Sequence, residues 1–409
     1  MKPFSAAAAV AAASQPGAWP AGFHFFAGPC GLKKNGAPDL LWVVAQPSAR
    51  AAAVFTTNRL QAAPVRLSRR HLAATAGRVR ALVVNSGNAN CATGAAGDRA
   101  AQAMARAAAA PLGARPEEIF IASTGVIGVP LPSAKIARQL AAWAASPDAA
   151  GDGPMAAASA ILTTDTRPKL AAASFTWRRR RYRIAGFAKG AGMIHPRMAT
   201  MLAFLFTDAP LPAAALRRAL AIAVEQSFHR ITVDGDTSTN DTVALFASGA
   251  GPALDAAGRQ AFQRALNQVA ASLARQIVLD GEGARRFVTV QVEGARTTAD
   301  ADRAARAIAH SPLVKTAVAG ADPNWGRILC AAGYSGARFD PAQARVWCNG
   351  LALYRRGRAL PFSEAQAQRR LDVAQVEIRL DLGAGHARSW MWTCDLTDEY
   401  IRINASYRT

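Results

Sequence analysis

Residues 189–208 constrain the fold of this chain more than any other stretch. They read Lys189-Gly-Ala-Gly-Met-Ile-His-Pro-Arg-Met-Ala-Thr200-Met-Leu-Ala-Phe-Leu-Phe-Thr-Asp208. A glycine-rich approach leads into Met-Ala-Thr, and an apolar, strand-like run follows directly. Two readings are open. Thr is common at the start of a buried strand. Alternatively, a hydroxyl placed there can cut its own chain before Thr200 and then act as a nucleophile, with the freed α-amine beside it as base. On the second reading the chain is the precursor of a two-piece enzyme.

At 409 residues the chain exceeds one average domain, and with 51% hydrophobic residues it can bury a real core. Alanine supplies much of that fraction, so large core side chains are fewer than the percentage suggests. The net charge of +21 is carried mainly by Arg. It is spread along the chain, and its one dense run is Arg178-Arg-Arg-Arg181. That run lies between strand-like pieces at 173–177 and 182–188, which makes it a hairpin tip. No zinc-finger spacing and no aromatic-basic RNA motif accompany it, so no nucleic-acid role is expected. Five cysteines, Cys30, Cys91, Cys330, Cys348 and Cys394, are scattered without CxxC spacing. This points to a reducing compartment, with neither a disulfide framework nor a zinc site. None of the six His residues lies in metal spacing with another His or Cys. The Ala-rich start is too poor in Leu for a signal peptide and is expected to be a disordered leader over 1–20. No window offers the ~20 apolar residues of a membrane helix. A cytoplasmic protein is the default expectation.

Strands are expected at 40–45, 52–56, 81–84, 119–122, 231–233, 243–247, 287–292, 376–382 and 390–403. Helices are expected at 95–110, 136–145, 212–227, 256–278 and 298–309. Another ends at Leu371, opened by a Ser363/Gln366 capping box. Strands and helices alternate in groups rather than in strict βαβ units. That suggests a mixed α/β sandwich instead of a doubly wound sheet. The expected division is a pair of halves split near Thr200, with a C-terminal subdomain from about 295.

Polar clusters sit where apolar strands end: Asn85-Ser-Gly-Asn-Ala-Asn90, Ser123-Thr-Gly125, Thr163-Thr-Asp-Thr166 and the stretch 232–242. Each alone is an ordinary turn, but four together point to a site. A tight Thr-Gly turn can offer a hydroxyl and a backbone N–H to one oxygen, which is what an oxyanion hole requires. Glu282 stands between glycines in Asp280-Gly-Glu-Gly283, where backbone and ligand can approach closely; a solvent-facing carboxylate is the alternative. His195 is either a base near Thr200 or structural. Asn324 and Arg327, in Asp322-Pro-Asn-Trp-Gly-Arg327, read as a structural turn anchored by Trp325.

Taken together, these strings resemble the ornithine acetyltransferase family, which includes the bifunctional glutamate N-acetyltransferase and amino-acid acetyltransferase of arginine biosynthesis. The match begins at Gly31-Leu-Lys-Lys and Phe55-Thr-Thr-Asn58. It passes through the clusters above and Asp280-Gly-Glu-Gly-Ala284, and ends at Asn404-Ala-Ser-Tyr-Arg-Thr409. The resemblance implies a four-layer αββα fold shared with self-processing aminopeptidases, and cleavage between Ala199 and Thr200. It places the oxyanion residues at Thr124 and Gly125. Substrate contacts fall at Thr164, Lys189, Thr200, Glu282, Asn404 and Thr409, with Thr163 an equally good match for Thr164. Arg197 stands where the family usually has Asn, and Arg285-Arg286 replaces Thr-Lys or Thr-Arg. Neither removes a group the chemistry requires.

The implied chemistry is ping-pong. N-acetylornithine gives its acetyl group to Thr200, ornithine leaves, and glutamate takes the acetyl group. No metal or organic cofactor is needed. Acetyl-CoA enters only if the enzyme also makes N-acetylglutamate directly. The expected assembly is a heterotetramer of two α- and two β-chains, 21–199 and 200–409. A self-processing aminopeptidase or amidohydrolase of the same fold is the alternative, although those use a Ser nucleophile.

Overall fold

The computed structural model describes residues 4–195 and 201–406. Ala199, Thr200 and Thr409 lie outside the described residues. The chain divides into two compact units, one of residues 5–229 and 236–277, the other of 1–4, 230–235 and 278–408.

The first unit holds α1 (Ala6–Ala13), β1 (Phe23–Gly28), β2 (Leu40–Phe55), α2 (Ala63–Ala74), β3 (Arg78–Asn85), α3 (Gly94–Ala109), β4 (Ile119–Ser123), α4 (Ser133–Ala145), β5 (Gly151–Asp152) and α5 (Gly153–Ala160). It continues with β6 (Lys169–Trp177), β7 (Arg180–Lys189), β8 (Leu202–Thr207), α6 (Ala213–Glu225), β9 (Thr242–Ala247) and most of α7 (Ala256–Leu279). Its strands form one mixed sheet in the order β4-β3-β2-β9-β8-β7-β6, with β1 paired to β2 and β5. The long strand β2 belongs to both halves of this sheet. Residues 40–45 pair with β1 and β3, and residues 50–55 pair with β9, with a register shift between Val44 and Ala49. The sequence reading split it in two because Pro47 interrupts the ladder.

The sheet folds over at that point and its two halves face each other through aromatic rings. Phe25 meets Phe206 at 5.6 Å between centroids, and Phe120 meets Phe246 at 5.6 Å. Leu41, Val43, Leu82, Val84, Phe187 and Phe204 complete this inner core. Each fully buried Phe contributes about 1.5–3 kcal/mol. The alternate residues Trp42, Val44, Val83, Ile119 and Ile121 point outward to α3 and α4. On the opposite outer face α6 covers β2 and β9. There α7 covers β6, through Phe262 against Phe175 and a hydrogen bond donated by Gln276 Nε2 to the Leu170 carbonyl at 2.9 Å. The first unit is therefore helix, sheet, sheet, helix.

The second unit holds β10 (Phe287–Ala295), α8 (Thr298–His310), α9 (Pro312–Ala319), α10 (Trp325–Gly333), β11 (Arg345–Cys348), β12 (Leu351–Arg355), β13 (Arg358–Ala359), α11 (Glu364–Leu371), β14 (Gln375–Asp381), β15 (Ala387–Cys394) and α12 (Asp398–Ser406). Its sheet order is β13-β12-β11-β14-β10-β15. Val288, Val290 and Val292 alternate inward from β10 onto Ala301, Ala304, Ala305 and Ile308 of α8.

Several expectations change. The leader is not without structure: residues 6–13 form α1, capped by the Ser5 hydroxyl, with Ala13 fully buried. The second unit takes in β10 rather than starting at 295, because β10 pairs with both β14 and β15. The stretch 231–233 forms one isolated bridge, Ile231 to Trp392, instead of a strand. The strand expected over 390–403 ends at Cys394, and α12 follows. Asp398 and Glu399 in its first turn suit a helix N-terminus.

Candidate active site

The clusters at 85–90 and 123–128 form one double loop. Parallel β3 and β4 end level with each other, Asn85 opposite Ser123. The Thr124 N–H donates to the Asn85 carbonyl at 3.0 Å, and the Ser123 hydroxyl to Asn85 Oδ1 at 2.6 Å. Asn85 Nδ2 in turn donates to the Asn88 carbonyl at 2.9 Å. Gly125 sits at φ +128°, and a Cβ there would run into Gly87 and lie 2.6 Å from the Asn88 nitrogen. Only glycine fits. The Thr124 side chain is buried, yet its hydroxyl makes no hydrogen bond with a described residue. The turn thus places a buried hydroxyl beside a glycine that no other residue can replace.

At the end of β7 the buried Lys189 donates from Nζ to Thr163 Oγ at 2.6 Å. Of the two neighbouring threonines, Thr163 is the one held by Lys189; the Thr164 hydroxyl makes no hydrogen bond with a described residue. The fully buried Asp165 pairs with Lys169 at 2.6 Å and lies 3.8 Å from Lys189 Nζ. It also accepts the Gly190 N–H at 2.6 Å. Burial alone would raise this carboxyl, but Lys169 and Lys189, with the hydrogen bonds from Lys169 and Gly190, hold it well below the usual carboxylate range. Lys33, from the Gly31-Leu-Lys-Lys string, stands close enough to feel both Lys189 and Asp165, and burial lowers its pKa.

The last cluster ties these parts together. Asn240 Nδ2 donates to the Ala89 carbonyl at 2.7 Å and to the Ser123 carbonyl at 2.8 Å, spanning both strands of the double loop. The next residue, Asp241, accepts the N–H of Met201 on Oδ1 at 2.8 Å. The Met201 carbonyl accepts the Thr242 N–H at 3.1 Å, so the residue between Thr200 and β8 is pinned at both ends. Burial pushes the Asp241 carboxyl well above its ordinary range; the Met201 N–H, the Lys189 charge and the Thr56 hydroxyl offset only part of this. Asp165, Asn240 and Asp241 were missed as individuals in the sequence. The signal was present, since all three lie inside polar clusters at strand ends.

In the second unit Asn404 Nδ2 donates to Glu282 Oε2 at 2.8 Å, although 122 residues separate them. Asn404 also bonds the Tyr400 carbonyl at 3.0 Å. Gly283, at φ +69°, admits α12 closely, since a Cβ would lie 2.6 Å from the Tyr400 nitrogen. Glu282 is therefore buried and oriented, not a free loop carboxylate.

Other candidates resolve as structure. Asn324 caps α10, Arg327 donates to the Leu313 carbonyl at 2.9 Å, and Trp325 stacks on Tyr354 at 5.0 Å. In the basic hairpin, Arg178 lies over Trp177 and Arg180 over Tyr182. His195 is the last described residue before the gap at 196–200. Among the described residues no group of three His, Cys, Asp or Glu could hold a metal, and no helix is long and apolar enough to cross a membrane.

The sequence profile of the ArgJ family matches residues 24–409. The arginine biosynthesis bifunctional protein ArgJ of Symbiobacterium thermophilum is 49% identical over 399 residues, covering 95% of this chain and 98% of that protein. The chain belongs to the ArgJ family. The protein of the same name from Thermus thermophilus is likewise 49% identical over 390 residues, covering 95% of this chain and 99% of its own length. A solved ArgJ chain from Bacillus halodurans is 41% identical, with a TM-score of 0.49, covering 51% of this chain and 100% of its own. The relatives' shared description makes this ArgJ-family chain an enzyme of the same class, a transferase of amino-acid biosynthesis.

Proposed function

We propose that this ArgJ-family chain transfers an acetyl group from N2-acetylornithine to glutamate, after cutting itself between Ala199 and Thr200. The observation that carries the reading is the Asn240-Asp241 pair, which joins the Ser123-Thr124-Gly125 turn to the residue that follows Thr200. Family membership over nearly the whole chain supports this choice of substrates.

In the precursor, Thr200 Oγ attacks the Ala199 carbonyl and the peptide bond becomes an ester. Water then releases Ala199 as a carboxylate and Thr200 with a free α-amine. That amine has an ordinary pKa of about 8 and serves as base at neutral pH. It takes the Thr200 hydroxyl proton as Oγ attacks the acetyl carbonyl, and passes it to the departing amine of ornithine. The Thr124 hydroxyl and Gly125 N–H hold the oxyanion. The amine of glutamate then attacks the acetyl ester. Glu282, with Asn404, suits the ornithine ammonium, and Lys189 suits a carboxylate. Thr164 and Thr409 are the remaining substrate contacts. Acetyl-CoA is a second donor in the bifunctional case, and the pieces assemble as two α- and two β-chains.

Intact mass and N-terminal sequencing of the purified protein test this directly, beside a Thr200→Ala control. The expected result is two fragments, one beginning Thr200-Met-Leu, acetyl transfer by the cut protein, and a single inert chain in the control. One intact chain in both samples would remove the free-amine base and sink the mechanism.

A further inference from the structure

Asp241 is a buried acid placed one residue from the proposed nucleophile, and the mechanism above gives it no task. Its Oδ1 holds the Met201 N–H at 2.8 Å. Its Oδ2 is wholly buried and has no hydrogen-bond partner among the described residues. The Thr56 hydroxyl, which lies close by, sends its own proton to the Ser238 carbonyl at 2.7 Å. An ionised carboxylate with a buried, unserved oxygen is a costly arrangement, and a proton on that oxygen removes the buried charge.

Covalent geometry makes the location matter. Met201 N is bonded to the carbonyl carbon of Thr200, so bond lengths alone keep the Thr200 α-nitrogen within ~4 Å of it, whatever the backbone conformation. The Asp241 carboxyl therefore neighbours the freed amine. An ionised carboxylate there would form an ion pair with the ammonium, raise its pKa and keep it protonated. A protonated amine cannot take the Thr hydroxyl proton. A neutral acid gives the same hydrogen-bond support without that penalty. The charged group facing Asp241 is Lys189, at the end of β7, and it is occupied by Thr163 and Asp165.

We propose that Asp241 positions the nucleophilic chain end as a neutral carboxylic acid, one oxygen accepting the N–H that follows Thr200 and the other carrying a proton. This rests on the reading of Thr200 as nucleophile. Asn is the isosteric mimic of a neutral acid, so Asp241→Asn and Asp241→Ala separate the roles. Three readouts apply: precursor cleavage by intact mass, kcat and KM for acetyl transfer, and the acid limb of the kcat/KM pH profile. Asp241→Asn is expected to be cut, to keep kcat within about fivefold, and to leave the acid limb in place. Asp241→Ala is expected to lose ~10²-fold in kcat with KM little changed, as a misplaced reacting group does. An Asn variant with kcat as low as the Ala variant would show that the charge is required and overturn the proposal. So would an Ala variant with wild-type kcat. If the Ala variant does not fold, the Asn variant still decides. A wild-type chain that is neither cut nor active overturns the functional reading itself and takes this inference with it.

Discussion

Thr124 is the residue whose two roles separate most cleanly. Its hydroxyl makes no hydrogen bond with a described residue, so removing it leaves no internal partner unserved. Thr124→Val should therefore shift stability by less than about 1 kcal/mol. The same change should lower kcat by ~10²–10³ if the hydroxyl meets a developing oxyanion. A thermal melt and steady-state kinetics on one sample check both, and a kcat near wild type would remove Thr124 from the site. Asp165 is the opposite case. Asp165→Asn leaves Lys169 and Lys189 buried without their shared counter-charge, a loss of about 3–5 kcal/mol. Its pH signature has a definite direction. The folded carboxyl titrates below its unfolded value, so its contribution is present above pH ~4 and is lost as pH falls toward the folded pKa. The wild-type melting temperature should drop on acidification below pH ~4, and the Asn variant's should drop less over the same range. These single residues were hard to read from the chain. Asp165 sits in a string of hydroxyl residues, Thr163-Thr-Asp-Thr166, and nothing in the string says that Lys169 and Lys189 converge on it.

At the scale of elements, the polar loops are joined by one amide. Asn240 spans from the end of β4 to the 85–90 loop, so Asn240→Ala leaves the buried Ala89 and Ser123 carbonyls without that donor, at about 1–3 kcal/mol each. Because Ser123 leads directly into Thr124-Gly125, kcat should fall further than stability alone explains. Stopped assays well below the variant's melting temperature would show this, and unchanged kcat there would mean the turn holds its shape unaided. Most elements were legible because their periodicity is strong. The apolar runs at β4 and β9 and the long α7 were expected within a few residues. The failures have separate physical causes. β2 was split because Pro47 breaks its ladder while the strand continues beyond it. The end of the chain was read as one strand because Tyr400, Ile401 and Ile403 favour strands locally, whereas the acidic pair Asp398 and Glu399 starts a helix. The Glu282–Asn404 contact depends on that helix, so periodicity alone gave no sign of it. The resemblance to a family named both residues as substrate contacts, but not their hydrogen bond.

For the whole molecule, the sheet order decides what a cut before Thr200 would do. Strands β8 and β9, from after the cut, lie between β2 on one side and β7 on the other, both from before it. The two pieces should therefore co-elute as one species on native size exclusion and part only in denaturant. Separation in plain buffer would contradict this strand order. The order also bears on how such a protein can be made. A gene divided at the same bond, with its halves expressed apart, would produce two polypeptides that each expose unpaired strand edges. One would lack the centre of its sheet and the other both neighbours of its central pair. Such edges recruit other chains, so each half alone should be insoluble and only joint synthesis should rescue them. The uncut polypeptide, on this view, is its own assembly jig. It sets β8 and β9 in place while they are still tethered, and the tether is dispensable only afterwards.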